Sequence, residues 1–96
     1  MDIMQLRYFL TTAETLNYTK AAEKLFLSRQ ALRQALSAME KELGLPLFIN
    51  QRNKLSLTGA GEYLKLAGQG TVDAFDEMMT GIQRFAKKEA ALKVAL

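Results

Sequence analysis

Four side chains that can each form two parallel hydrogen bonds lie within one turn and a half of a predicted helix. They are two arginines and two glutamines, Arg29, Gln30, Arg33 and Gln34. A guanidinium group matches the O6 and N7 atoms of guanine, and a carboxamide group matches the N6 and N7 atoms of adenine. The stretch therefore predicts a helix that contacts base edges, and the bland alternative is an ordinary solvated helix face.

The helix that carries these side chains has one apolar side and one polar side. Ser28 can cap its start, and its apolar stripe consists of Leu32, Leu36, Met39 and Leu43. Gly44 is expected to end the helix as a left-handed cap, and Pro46 blocks its continuation. The polar side holds cationic and amide groups without an acid among them, which suits a polyanion such as duplex DNA. Ser37 is either a further contact or only solvent-facing.

A short helix and a tight turn precede this stretch. Thr19 is expected to cap the short helix, whose inner side carries Ala21, Ala22 and Leu25. Phe26 and Leu27 are expected to fill the turn, which completes a helix-turn-helix pattern.

The start of the short helix could also hold a phosphate group. Tyr18, Thr19 and Lys20 lie there, where unpaired N–H groups and the positive end of the helix dipole favour an anion. Thr19 could instead be a helix cap alone. Ser28, at the start of the next helix, could likewise contact DNA but is expected to act as a cap first.

The spacing of apolar residues changes after Pro46. Residues 47–49 are apolar, residues 50–54 are polar, and residues 55–57 alternate with a period of two, which predicts a β-hairpin. A hairpin directly behind a recognition helix is a wing. Its tip carries Arg52 and Lys54, which could hold phosphate or reach a minor groove. The alternative is a solubilising loop tip.

A long helix is predicted from about Gly59 to Lys88, with Thr58 as its cap. One side repeats steps of four and three residues, as in a coiled coil, through Leu64, Gly68, Thr71, Phe75, Met78, Ile82 and Phe85. The first two turns are expected to pack on the chain's own helices. About 30 residues at about 1.5 Å each extend beyond a compact domain of this size, so the rest of the seam predicts a homodimer.

Two segments in the first part of this helix, 59–61 and 68–70, each contain a pair of glycines. Neither segment follows a strand or precedes a Lys-Ser/Thr pair, as a phosphate loop would require. We predict that these glycines start the helix or allow close packing.

Composition limits the class of protein. The 96 residues are 49% hydrophobic, enough for one small domain. The net charge of +3 lies wholly in residues 1–57, because residues 58–96 are neutral in sum, which points to an anionic partner for the N-terminal part. Neither cysteine nor histidine occurs, so we expect no metal and no cofactor.

An enzyme is not expected either. The carboxylates Asp73, Asp76 and Glu77 lie along one predicted helix without a nucleophile or a histidine nearby. Apolar runs are too short to span a bilayer, and the N-terminus lacks the plan of a signal peptide. A cytoplasmic protein without a membrane partner is therefore expected.

Several stretches of the sequence resemble one known family. They are Leu6-Arg7-Tyr8-Phe9, residues 18–25, Ser28 with Ala31-Leu32, residues 40–48, Leu57-Thr58 and Ala60-Gly61. In this order they are similar to the DNA-binding end of LysR-type transcriptional regulators, and the similarity covers nearly the whole chain. It implies a mostly α, winged helix-turn-helix fold with a β-hairpin wing and a long C-terminal linker helix for dimerisation.

The resemblance also implies a domain division and a mode of action. Residues 1–57 would form the DNA-binding domain and residues 58–88 the linker, while residues 89–96 would be a hinge and the first strand of an effector-binding domain missing from this chain. The third helix of each subunit would enter the major groove of a pseudo-palindromic operator, with the wing on the backbone. A tetramer is possible for the full-length protein, and a small-molecule effector is expected only in the missing domain.

The sequence departs from the family pattern where specificity is expected. The third helix in this family usually opens Ser-Gln-Pro or Ser-Gln-Ser and has a serine five positions after the first. Here Arg29, Gln30 and Arg33 occupy those places, and Asn50 replaces an arginine common in the wing. The operator therefore cannot be inferred from the family. A protein-interaction module, in which the long helix pairs with a different partner, is the alternative function.

Overall fold

The computed structural model describes the backbone of residues 1–95 and the side chains of residues 1–89. Its elements follow in the order α1 (Ile3–Thr15), α2 (Tyr18–Leu25), α3 (Arg29–Leu43), β1 (Phe48–Gln51), β2 (Lys54–Leu57) and α4 (Gly59–Ala95). The predicted fold class, a mostly α winged helix-turn-helix with a long C-terminal helix, is confirmed.

Side-chain caps set where the first three helices begin. Asp2 and Gln5 form the reciprocal capping box of α1, and Ser28 accepts a hydrogen bond from the Ala31 N–H at 3.0 Å to cap α3, as predicted. The predicted cap of α2 is wrong. Asn17, in an extended conformation, accepts from the Lys20 N–H at 2.9 Å, so α2 begins before Thr19, which lies inside the first turn.

The core is formed where α1, α2 and α3 meet the base of the hairpin. Its largest fully buried side chains include Phe9, Leu32, Met39 and Leu47. Leu43 is the one residue of the predicted α3 stripe that is not buried, since it is 41% exposed at the end of the helix. Gly44 ends α3 with a φ of 77°, which confirms the predicted left-handed cap.

The turn between α2 and α3 differs from the prediction at one residue. Leu27 packs against the core as expected, but Phe26 is 95% exposed. Its φ is 57°, because the chain must turn there in the left-handed region, and the side chain is directed into solvent instead of filling the turn.

The predicted hairpin is confirmed. Strands β1 and β2 pair antiparallel, from Phe48 opposite Leu57 to Gln51 opposite Lys54. The two residues between them, Arg52 and Asn53, have φ values of 52° and 60°, as a two-residue type I′ turn requires.

Helix α4 contains 37 residues, about 55 Å at about 1.5 Å per residue. It runs through Ala95, so the strand predicted within residues 89–96 is wrong for the described part of that segment, and Leu96 lies outside the described residues. The hinge stays a prediction. An α-helix pairs the N–H and C=O groups of this segment within the segment itself. The division into functional domains stays a prediction.

Candidate nucleic-acid interface

The outer face of α3 presents five polar side chains together. Because Leu32, Leu36 and Met39 turn into the core, the opposite side of the helix is left to solvent. All five predicted contact residues on it are exposed, and they line one shallow hollow: Arg29, Gln30, Arg33, Gln34 and Ser37. These side chains carry hydrogen-bond donors and acceptors on the surface of an α-helix. An α-helix fits into the major groove of DNA.

A second hollow joins the start of α2 to α3 and the wing. Its volume is about 300 Å³, and its walls are formed by Leu16, Asn17, Tyr18, Thr19, Arg29, Asn50, Asn53 and Leu55. Thr19 and Lys20 are exposed beside it, whereas Tyr18 is half-buried. The structure therefore brings Tyr18 and Thr19 close to Arg29 of α3 and to Asn50 and Asn53 of the wing, whereas Lys20 is not among the residues that line this hollow.

The predicted wing residues stay at the tip of the hairpin. Arg52 and Lys54 are exposed and line a third hollow with Gln51 and Ser56. The hydrogen-bonded turn projects both cations away from the core. Both cations are therefore accessible to an anion.

The wing is fixed to α3 by a carboxylate. Glu40 accepts hydrogen bonds from the backbone N–H groups of Leu47 at 2.6 Å and Phe48 at 3.2 Å. Its own carbonyl oxygen accepts from Gly44 and Leu45. Both hydrogen bonds engage the Glu40 carboxylate with the base of the wing.

Thr58 joins the wing to α4. Its hydroxyl donates to the Pro46 carbonyl at 2.8 Å and accepts from the Gly61 N–H at 3.0 Å, as a helix cap does. The Thr58 N–H donates to the Leu47 carbonyl at 3.0 Å. The loop before β1 is thus held by α3 on one side and by α4 on the other.

The surroundings of one predicted site residue, Tyr18, shift the pKa of its hydroxyl group. Burial raises the pKa of the Tyr18 hydroxyl, although the nearby charges of Arg33 and Arg29 act in the opposite direction. Tyr18 therefore stays neutral at physiological pH. It can offer a hydrogen-bonding hydroxyl and a ring face, but no charge.

The first half of the predicted dimer seam packs within the chain. Leu64 is half-buried against the core, and a Cβ atom on Gly68 would lie 2.9 Å from the Leu6 side chain on α1. Both residues belong to the seam assigned to dimerisation, but they lie in its first two turns, which were expected to pack on the chain's own helices, and in the structure α1 occupies their side of α4. The coiled-coil spacing could not distinguish these two partners.

The middle of the seam is held by an ion pair. Arg7 donates to Asp76 at 2.5 Å and lies over the Phe75 ring, 5.8 Å from its centre. The hydrogen bond from Arg7 lowers the pKa of the Asp76 carboxyl. These contacts fix the direction in which α4 leaves the globular part of the chain.

The remaining seam residues are exposed: Thr71 lies between positions that contact α1, and Met78, Ile82 and Phe85 follow the last of those positions. Thr71 is exposed and its hydroxyl donates to the Ala67 carbonyl. Met78, Ile82 and Phe85 are 58%, 58% and 66% exposed. For these residues a contact with a second chain stays a prediction.

Sequence reasoning missed several residues that line the hollows. Asn17, Asn50, Gln51, Asn53 and Ser56 all do so. Asn17 could have been found, because asparagine before a helix is a strong capping signal. Asn50 and Asn53 become neighbours of α2 and α3 only through the tertiary fold, whereas Gln51 and Ser56 line a hollow of the wing itself.

Two features of the described residues bear on other functions. Across residues 1–89, no three Asp or Glu side chains cluster closely enough to form a metal site. Among the helices described, none is both long enough and apolar enough to cross a bilayer.

The chain is similar to curated bacterial regulators. It is 42% identical over 62 residues to the Hca operon transcriptional activator HcaR of Escherichia coli (strain K12), which covers 65% of this chain and 21% of HcaR. It is 34% identical over 97 residues to the HTH-type transcriptional regulator BsdA of Bacillus subtilis (strain 168), which covers 100% of this chain and 33% of BsdA. The chain thus spans a fifth to a third of the length of these relatives.

The chain is also similar to solved structures. The crystal structure of the BenM DBD in complex with catB site 1 DNA superposes with a TM-score of 0.85 at 28% identity, over 90% of this chain and 96% of that one. Oxidized Corynebacterium glutamicum OxyR superposes with a TM-score of 0.80 at 36% identity, over 85% of this chain and 25% of that one. Residues 3–62 match the family model described as "Bacterial regulatory helix-turn-helix protein, lysR family", and the chain belongs to that family.

Proposed function

We propose that this chain is the DNA-binding part of a transcriptional regulator and binds a pseudo-palindromic duplex as a homodimer. In each subunit α3 enters the major groove, the wing lies on the sugar-phosphate backbone, and the start of α2 holds a phosphate. The two subunits meet through the distal part of α4. A small-molecule effector and a higher assembly would belong to the full-length protein.

The observation that carries this proposal is the outer face of α3. Its five exposed polar side chains, Arg29, Gln30, Arg33, Gln34 and Ser37, are flanked by two further cationic or N–H-rich surfaces. Base contacts specify a sequence and phosphate contacts position the protein. The three surfaces together offer both kinds of contact on one side of the molecule.

The similar proteins support the same function. HcaR and BsdA are named as transcriptional regulators, and the BenM structure that superposes on this chain contains DNA. Because these regulators are much longer than this chain, they support the role of the DNA-binding part and leave the regulated genes open.

The first experiment tests sequence-specific binding. Duplexes bound by the protein are selected from a random pool, and the resulting consensus and a scrambled duplex are titrated by fluorescence anisotropy at two salt concentrations. We expect the consensus to bind at least about a thousandfold more tightly than the scrambled duplex. Equal affinity for both duplexes would refute specific recognition.

Two variants separate reading from positioning in that assay. Arg33→Ala should flatten preference at one or two base pairs by roughly 1–3 kcal/mol. Arg52→Ala should weaken binding to all sequences and lower the slope of log affinity against log salt by about one. The matched control is Arg84→Ala, an exposed arginine on distal α4, which should leave both quantities unchanged.

The second experiment tests the dimer. Light scattering should show a dimer for the wild type and a monomer for Ile82→Asp. Gln83→Asp adds the same charge at the next exposed position of α4 and should stay dimeric. Two-fold symmetry then predicts half-sites centred about 34–36 Å apart, or a multiple of that distance. A wild-type monomer that binds one half-site would favour the alternative, in which α4 pairs with a different protein.

A further inference from the structure

A column of aromatic rings leads from the core to the outer face of α3. The Phe9 and Phe48 ring centres are 5.3 Å apart, and the Phe48 and Tyr18 ring centres are 6.3 Å apart. The guanidinium carbon of Arg33 lies 5.0 Å from the centre of the Tyr18 ring. The column thus joins α1, the wing and α2 to one side chain of α3.

The Tyr18 ring is held more firmly than the arginine it touches. Tyr18 is the first residue of α2, directly after the Asn17 cap, and it is half-buried. Phe48 supports it from below, and Phe9, behind Phe48, is 0% exposed. Arg33 is exposed, and a free arginine side chain samples many rotamers. A fixed neutral ring can therefore restrict the guanidinium group, which is attracted to its electron-rich face.

The stack distinguishes between the two arginines of α3. Arg29 and Arg33 are both exposed on the same face, but across residues 1–89 it is Arg33 whose guanidinium lies over an aromatic ring on this face.

We propose that Tyr18 is a positioning residue that holds the Arg33 guanidinium for bidentate contact with one guanine of the operator. This inference rests on the proposed function. Tyr18 itself acts through its ring and reads no base. A pre-ordered guanidinium loses less rotamer freedom when it forms two parallel hydrogen bonds, so the stack sharpens discrimination at the base pair that Arg33 contacts and at no other.

The experiment measures discrimination position by position. The wild type, Arg33→Ala, Tyr18→Leu and Tyr18→Phe are titrated against the selected duplex and against every single base-pair substitution in one half-site. Tyr63→Leu is the matched control, because Tyr63 is an exposed tyrosine on α4 with no place in the column. Thermal melting of each variant checks that it is folded at the temperature of the titration.

We expect Arg33→Ala to remove roughly fivefold to 150-fold discrimination at one or two base pairs. Tyr18→Leu should lower discrimination at those same base pairs by about twofold to fivefold, the size of an exposed cation–π contact. Tyr18→Phe, which keeps the ring, should behave as the wild type, and so should Tyr63→Leu.

Several results would overturn the inference and leave the proposed function standing. One is an equal loss at all base pairs in Tyr18→Leu, which would make Tyr18 a backbone contact. A second is sharper discrimination in that variant, because the ring would then hold Arg33 away from DNA. A third is a loss in Tyr18→Phe, which would assign the role to the hydroxyl. A wild-type protein without any base preference would refute the proposed function itself.

A measurement on the free wild-type protein needs no variant. A guanidinium over a ring face has its Nε–H and Hδ resonances shifted upfield by the ring current. We expect such a shift for Arg33 and none for Arg29 in the NMR spectrum. Random-coil positions for the Arg33 resonances would overturn the inference even if Tyr18→Leu failed to fold.

Discussion

Three glycines of α4 provide one substitution in three different surroundings. A Cβ atom on Gly61 would lie 2.2 Å from the Leu47 carbonyl oxygen, and one on Gly68 would lie 2.9 Å from the end of the Leu6 side chain. A Cβ atom on Gly70 would meet nothing within 4 Å. Replacing Gly68 or Gly70 by alanine removes a mid-helix penalty of about 0.5–1 kcal/mol, and the gain at Gly61, in the first turn of α4, is at most as large. A larger difference between the variants therefore reports packing.

Gly61→Ala should destabilise the protein. The Leu47 carbonyl must retreat by roughly 1 Å, but it accepts from Thr58, and the Leu47 side chain is 1% exposed. We expect an overpacking cost of roughly 1–3 kcal/mol and partial loss of a hydrogen bond of about 0.5–1.5 kcal/mol. After the helix gain is subtracted, the free energy of unfolding should fall by about 2 kcal/mol, which lowers Tm by about 8–16 °C in a domain of this size.

The other two substitutions set the scale. Gly70→Ala should raise Tm by about 2–8 °C, because only the helix gain remains. Gly68→Ala should lie close to the wild type, since the end of a leucine side chain can move by a few tenths of an ångström and offset that gain.

Urea and thermal unfolding followed by circular dichroism measure all three variants at one protein concentration. The expected order of stability is Gly70→Ala, then wild type and Gly68→Ala, then Gly61→Ala. If Gly61→Ala equalled or exceeded the wild type, the close contact between α4 and the loop before β1 would be refuted. If Gly70→Ala were the least stable, the helix-propensity argument would fail instead.

Three further predictions concern single side chains. Glu40→Ala leaves two N–H groups at the base of the wing without their acceptor and should cost about 1–3 kcal/mol in urea unfolding, whereas Glu40→Gln keeps one acceptor oxygen and should cost less; equal costs would show that the charge and not the acceptor matters. Asp76→Asn should be less stable than the wild type at neutral pH. Arg7 lowers the folded-state pKa of Asp76. The stabilisation by the ion pair is therefore full above the ordinary pKa of 3.8 and is lost as the pH falls through the folded-state value. A stability difference between Asp76→Asn and the wild type that persists in acid would contradict the ion pair. Phe26→Asn should keep or raise Tm, since asparagine tolerates a positive φ and the ring is 95% exposed; a marked fall in Tm would mean that the ring has a partner.

Periodicity predicted the parts of the site that depend on one helix or one hairpin. A helix that buries Leu32, Leu36 and Met39 must expose the residues between them, so the outer face of α3 follows from the sequence alone. The polar run between two apolar segments likewise predicted the wing and its cationic tip. These features needed no knowledge of how the elements pack together.

The errors occur where local signals compete or where tertiary contacts decide. Asn17 and Thr19 are both good caps, and the sequence does not say which of them has the extended backbone. Phe26 was expected inside because it is apolar, but the turn requires a left-handed residue at that position. The contact of Tyr18 with Arg33 joins two helices directly, and no pattern in either helix predicts it.

The predicted seam of α4 shows how one periodicity can serve two partners. Its spacing is uniform from Leu64 to Phe85, but the structure divides it near Phe75, where α1 ends its contact and the helix continues alone. Because Gly68 and the Arg7–Asp76 ion pair fix the packed half, the exposed half has a set direction before any second chain binds. A dimer formed through Ile82 and its neighbours would therefore hold the two α3 helices at a separation set by helix length and crossing angle. A substitution that loosens the contact of α1 with α4 would widen the range of half-site spacings that the dimer binds, even when the exposed residues of the seam are unchanged.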